Sequence, residues 1–195
     1  MTNEQLKALK QLAKRLNYGV GPDHPKQVKK LSLNIYQQLV KSGLLIDSEN
    51  DGKILRASAW LHDTGYPEKR HNEEAFDILK SEINRTLESE PLSSDDLSAI
   101  LYCILWHRGN DFTQRDDIQI LNRSHLEELA GILRVADALD RSLQQLVKGL
   151  TLKLQGESLE FNLKSKFSID IERQRAREKA DLFLEAFNLK DVSFV

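Results

Sequence analysis

Histidine and aspartate stand side by side at His62-Asp63, in the run Leu61-His62-Asp63-Thr64-Gly65. The same residue types recur at His24, His71, His107 and Asp137. The sequence holds five histidines, and four of them join this series. Neutral imidazole with carboxylate is a ligand set that binds a catalytic divalent metal and leaves positions open for water. Such an ion lowers the pKa of a bound water toward roughly 7 and neutralises a phosphoryl oxygen, so phosphate esters are its natural substrates. A lone His-Asp pair is common; the ordered set is what carries the signal.

Helical spacing turns these groups inward. His24 precedes Val28 and Leu31 by four and seven residues, and His71 leads Ala75 and Ile78 in the same way. His107 follows Cys103 by four residues, and Asp137 follows Leu133 by four. Inward charge is costly unless it is paired or metal-bound, and one divalent cation would satisfy several of these groups together. His62 and Asp63 diverge by about 100° on a regular helix. They can still share an ion at a helix end, which Thr64-Gly65 and Pro67 provide.

The elements that must position this set are mostly helical, because Gly and Pro are scarce and heptad-like apolar spacing recurs. Leu6, Leu9, Leu12, Ala13 and Leu16 stripe a first helix, broken by Gly19, Gly21 and Pro22. A second runs from about His24 to Ser42, and a third from near Ser48 to His62-Asp63, with a last part apolar nearly all round that predicts a buried position. A fourth carries His71, Ala75, Ile78, Leu79 and Ile83, and a fifth ends at Trp106-His107. A sixth starts near Ser124, with Glu127 completing a capping box, and continues through Asp137 to about Val147. The period then changes. Leu150, Leu152 and Leu154 alternate, Gly156-Glu157 turns, and Leu159, Phe161 and Leu163 alternate again, which reads as a β-hairpin. One charged helix from about Asp170 to Asn188, its run 170–181 a solvated face, and a closing strand at Val192–Val195 complete the chain. The expectation is a mainly α fold, with a helical domain over 1–148 and a small α+β hairpin–helix–strand subdomain over 149–195.

Composition is that of a soluble globular protein, with 40% apolar and 30% charged residues. A net charge of −2 gives no field that favours nucleic acid or an anionic membrane. The single Cys103 excludes an intrachain disulfide and fits a reducing compartment, and its apolar neighbours predict a small buried hydrophobe. The polar start is unlike a secretory signal and no apolar run approaches a bilayer span, so a cytoplasmic location is expected.

The series His24, His62-Asp63 and Asp137 resembles the HD-domain superfamily of metal-dependent phosphohydrolases. His71-Asn-Glu-Glu-Ala-Phe-Asp-Ile-Leu79 and Trp106-His-Arg-Gly109 are similar to the intermediate histidine motifs that some branches add. His24-Pro-Lys-Gln-Val28, Leu61-His-Asp-Thr-Gly65, His107-Arg108 and Leu133-Arg-Val-Ala-Asp-Ala-Leu-Asp-Arg-Ser142 look most like the C-terminal half of the exopolyphosphatase/guanosine pentaphosphatase family. The hairpin-helix tail is similar to the end of that family. In that family the phosphohydrolase site lies in an actin-like half that this sequence does not contain, so exopolyphosphatase activity is not carried over. Gly65-Tyr66-Pro67 matches letters of a cyclic-dinucleotide phosphodiesterase motif, but at the wrong place in the chain.

The resemblance implies an HD-type helical bundle and one or two divalent ions, with Mn, Fe, Mg, Co, Ni and Zn not distinguished. His24, His62, Asp63 and Asp137 would hold one ion, and Asp63 could bridge to a second held by His71 and His107. Lys69, Arg70, Arg108 and Arg141 could hold phosphate oxygens of a small phosphorylated substrate such as a nucleotide. Glu68 is a candidate proton carrier beside the catalytic Asp63, and Asp140 could orient a ligand. Plainer readings stand beside these. Arg134 and Arg141 could form ion pairs with Asp137, Asp140 or Glu128, and His125 is expected to be solvent-exposed. A free-standing copy could also bind a phosphorylated ligand without cleaving it, or use Leu150–Val195 as a homodimer surface.

Overall fold

The computed structural model describes residues 1–66, 71–108 and 122–195, with the side chains of His71 and Glu74 outside the description. Among the described residues the order is α1 (Asn3–Arg15), α2 (Asp23–Lys41), α3 (Glu49–Leu61), α4 (His71–Thr86), α5 (Ser94–Trp106) and α6 (Arg123–Ala138). Then come β1 (Gly149–Gln155), β2 (Ser158–Lys164), α7 (Asp170–Glu178), α8 (Asp181–Ala186) and β3 (Asp191–Phe194). The chain is mainly helical with a small C-terminal sheet, as its patterning predicts.

Local chemistry starts the helices where it should. Thr2 and Gln5 form a capping box on α1, and the Ser93 hydroxyl accepts the Asp96 N–H at 3.1 Å to open α5. α6 departs from expectation. Its cap is Asn122, not Ser124, and Glu127 pairs with Arg123 at 2.8 Å instead of closing a box. Asparagine caps as well as serine does, so the helix starts at the earlier of the two.

Three helices form the centre. α3 is buried continuously from Ala57 to Leu61, α5 from Ala99 to Trp106 and α6 from Leu129 to Ala136. Helices apolar on every side need neighbours on every side. α2 packs on α3 and α6, α1 on α3 and α4, and α4 on α5.

β1 and β2 pair antiparallel, with Leu150 opposite Leu163 and Leu152 opposite Phe161, and β3 joins β2 in parallel. The outer edge of β1 is covered by α2. There the Gln38 amide donates to Leu150 O at 3.1 Å and accepts the Leu152 N–H at 2.7 Å, imitating a neighbouring strand. Phe161, Phe183 and Phe194 join the same hydrophobic cluster as the helices.

Two expected helices are shorter. α6 stops at Ala138 and does not reach Val147. The Asp140 carboxylate accepts the Gln145 N–H at 2.7 Å, and Leu143 and Gln145 take positive φ of 59° and 51°. A side-chain acceptor here competes with the helical ladder. The helix expected over Asp170–Asn188 breaks at Lys179-Ala180 into α7 and α8. The break lets Lys179 turn into the interior while Phe183 seats on α6 at Gly131, where an added Cβ would lie 3.1 Å from the Phe183 backbone. No described helix is long and apolar enough to cross a membrane.

Candidate metal centre

Two helices end in a histidine in the same way. His62 caps α3 and His107 caps α5. Each donates Nδ1–H to the carbonyl three residues back, His62 to Ala59 at 3.0 Å and His107 to Ile104 at 2.6 Å. These carbonyls belong to the last turn, which has no further helical donors. A carbonyl only accepts, so Nδ1 carries the proton and Nε2 keeps its lone pair. His24, in the first turn of α2, directs Nδ1 to Asp140 at 2.8 Å, which aims its Nε2 the same way. Outer hydrogen bonds of this kind fix the tautomer and ring angle of metal-binding histidines.

The inward atoms converge. His24 Nε2 lies 3.1 Å from Asp137 Oδ1, 3.3 Å from His62 Nε2 and 3.5 Å from Asp63 Oδ2. His62 Nε2 lies 3.4 Å from Asp63 Oδ2 and 3.6 Å from Asp137 Oδ1. Ligand atoms about 2.1 Å from one ion sit about 3.0 Å apart at octahedral and about 3.4 Å at tetrahedral angles, so these separations suit a divalent shell. Asp63 turns its other oxygen, Oδ1, toward His107 Nε2 at 4.0 Å. Two overlapping groups could therefore hold a metal ion: His24, His62 and Asp137, and His62, Asp63 and His107, each with its ligand atoms within 4.8 Å of one another.

The electrostatics also call for a cation. α3, α5 and α6 all point their C-termini here, where carbonyl dipoles favour positive charge. Burial opposes charging His24, yet hydrogen bonds to Asp137 and Asp140 and the charges of Asp137 and Asp63 lift its pKa to about 10. Burial opposes charging His62 too, but Asp63 and Asp137 raise its pKa. Burial would raise the Asp137 pKa, but hydrogen bonds with His24 and His62 hold it well below the usual carboxylate range. His107 goes the other way. Burial, followed by the charge of His62, pushes it down to about 3. A proton on His24 thus occupies part of the role of an ion between the Asp63 and Asp137 carboxylates.

The cluster opens into a cavity of about 570 Å³ lined in part by Asp63, Arg108 and Arg141. Of the other residues singled out in the sequence, Glu68, Lys69, Arg70 and the side chain of His71 lie outside the described residues. Asp140 is fully buried and orients His24. Cys103 is buried as expected, and burial pushes its thiol up to about 12. Three expectations are corrected. His125 is not solvent-exposed but half-buried between Asp51 at 3.0 Å and Glu128 at 2.9 Å, because those carboxylates draw it inward. Arg134 is buried and pairs with Asp181 at 2.8 Å, not with Asp137, Asp140 or Glu128, since its side chain faces α8. The 170–181 run is not one solvated face. Glu172 and Lys179 are buried, and Lys179 with Arg175 lines the cavity. Lys179 Nζ donates to His107 O at 3.3 Å and lies 3.9 Å from Asp137 Oδ2. Sequence reasoning missed Lys179; its one signal was the four-residue spacing Ile171, Arg175, Lys179.

The HD-domain family model matches residues 22–142. No match was found among curated proteins. The matched span is more than half of the chain, contains His24, His62, Asp63, His107 and Asp137, and ends before β1. The arrangement of imidazoles and carboxylates around one point accords with that match, and the chain belongs to the HD domain family.

Proposed function

We propose that this protein is a metal-dependent phosphohydrolase that cleaves a phosphomonoester or phosphodiester of a nucleotide or similar small phosphorylated molecule. The observation that carries the reading is the shared orientation of His24, His62 and His107, each tied back through Nδ1 so that Nε2 faces Asp63 and Asp137. His24, His62, Asp63 and Asp137 would hold one divalent ion, and Asp63 with His107 would begin a second position. When bound, such an ion acidifies water and draws charge from a phosphoryl oxygen.

The protein's own groups do the rest. Arg108 and Arg141, on the cavity wall, hold phosphoryl oxygens and orient the ester toward the Asp63 corner. Asp63, its two oxygens already directed into the cluster, orients the attacking water between the ligand groups. The deep position of the cluster, with His62 and His107 buried, keeps bulk water from the reacting group. The sequence motifs that resemble the C-terminal half of the exopolyphosphatase/guanosine pentaphosphatase family favour a phosphorylated ligand.

A screen of phosphorylated compounds across Mn, Fe, Co, Ni, Zn and Mg tests this. Hydrolysis of at least one compound is expected, falling to background in His62→Ala and Asp63→Ala while the helical circular dichroism persists. Equal turnover in wild type and both variants would refute the assignment.

A further inference from the structure

The cavity wall opposite the HD residues is built by a part of the chain outside the matched span. Helix α7 lies at 170–178, beyond residue 142 where the family match ends. It presents Ile171, Arg175 and Lys179 to the cavity, four residues apart and therefore on one face. The face is graded. Lys179 is buried beside Asp137, Arg175 is partly exposed farther out, and Ile171 is exposed at the rim. α7 is tied to the loop after the metal-site helix, where buried Glu172 accepts the Ser142 N–H at 3.2 Å. The face is therefore held in place against the site.

Asp63, Asp137 and Asp140 face Arg108, Arg141, Arg175 and Lys179 across the described lining. A divalent ion held by the carboxylates would take up their charge and leave Lys179 and Arg175 facing the cavity. Lys179 is buried in that lining, 3.9 Å from Asp137, with Arg175 and Arg108 on the same cavity wall. A buried ammonium whose nearest carboxylate would be engaged by a metal ion calls for a further anion. The ion pair of Arg175 with Glu178, at 2.9 Å, joins two partly exposed side chains and contributes little, so Arg175 is available to a ligand.

We propose that α7 is a phosphate-binding strip of the active site, with Lys179 holding the phosphoryl group at the metal corner and Arg175 holding a second phosphate farther out. This rests on the phosphohydrolase reading and sharpens it. The favoured substrates carry two or more linked phosphates, and the C-terminal α+β segment is part of the site, not only a scaffold for it.

The test is calorimetric binding of inorganic phosphate and of pyrophosphate to the full chain, with Mn²⁺ in excess of the anion and Mn²⁺ binding measured separately. Wild type is expected to bind pyrophosphate more tightly than phosphate. Lys179→Met should weaken both anions about tenfold or more while Mn²⁺ affinity holds, and Lys179→Arg should recover part of the loss. Arg175→Ala should weaken pyrophosphate about tenfold and leave phosphate nearly unchanged. Unchanged anion affinity in Lys179→Met or Arg175→Ala overturns the proposal, and so does loss of Mn²⁺ binding in Lys179→Met, which would make Lys179 a support for Asp137 and His107. If Lys179→Met does not fold, the Arg175→Ala result decides. Absence of Mn²⁺ binding in wild type would instead overturn the phosphohydrolase reading beneath it.

Discussion

Asp140 touches no inward-facing atom of the cluster other than through His24, yet it sets the aim of that ring by accepting Nδ1–H at 2.8 Å. Asp140→Asn keeps the shape but weakens the acceptor. Mn²⁺ affinity is expected to fall about tenfold by calorimetry, with the fold intact, whereas an unchanged affinity would mean that the ring is held by packing alone. Protonation gives a second residue-level prediction. The metal-free protein raises His24 from 6.5 to about 10, so that contribution to stability is fully present below pH 6.5 and is lost as pH rises through about 10. His107 is lowered to about 3, so its contribution is present above pH 6.5 and is lost as pH falls toward 3. Urea denaturation of the metal-free chain should therefore show greatest stability near neutrality, with both flanks flattened in the His24→Ala, His107→Ala double variant. Because an ion must displace the His24 proton, metal affinity should rise with pH over the same upper range. The inward direction of His24, His107 and Asp137 was legible in the sequence because helical spacing and helix ends set direction locally, whereas their meeting at one point depends on how remote helices pack. Lys179 was not, because its depth depends on how α7 docks on a loop that reads as helix.

The elements hold these residues by their ends. α3 and α5 stop at His62 and His107, α6 stops just past Asp137, and α2 begins beside His24. The turn between α1 and α2 closes over this corner. Gly19 has φ 75°, and a Cβ there would lie 1.9 Å from the Asp63 carbonyl oxygen. Gly19→Ala should therefore cost more than about 1 kcal/mol in urea unfolding and weaken Mn²⁺ binding together. Loss of stability with metal affinity intact would show that the turn is not coupled to the Asp63 corner. In the sequence Gly19 reads only as a helix breaker, since the backbone it meets is remote along the chain. The ends of α6 and α7 escaped prediction for a related reason. A carboxylate that takes a backbone N–H five residues on, and a lysine that turns inward, both interrupt patterns whose apolar spacing continues past them.

At the scale of the molecule, one hydrophobic cluster joins the helical core to the C-terminal sheet, and the cavity lies where α7 meets the ends of the HD helices. The bundle and its sheet were legible from the change of period after Gly149, from 3.6-residue stripes to alternation. How α7 lies against α6 depends on Gly131, Phe183 and the Arg134–Asp181 pair, contacts between distant segments that no local pattern encodes. Phosphohydrolase chemistry at this corner requires that the inward imidazole nitrogens and carboxylates bind a divalent ion. Titration of the purified full chain with Mn²⁺, followed by electron paramagnetic resonance with nitrogen hyperfine detection, tests this most directly. Stoichiometric Mn²⁺ with imidazole nitrogen couplings is predicted, lost in the His24→Ala, His62→Ala double variant. No stoichiometric binding, or couplings that survive in that variant, would contradict it.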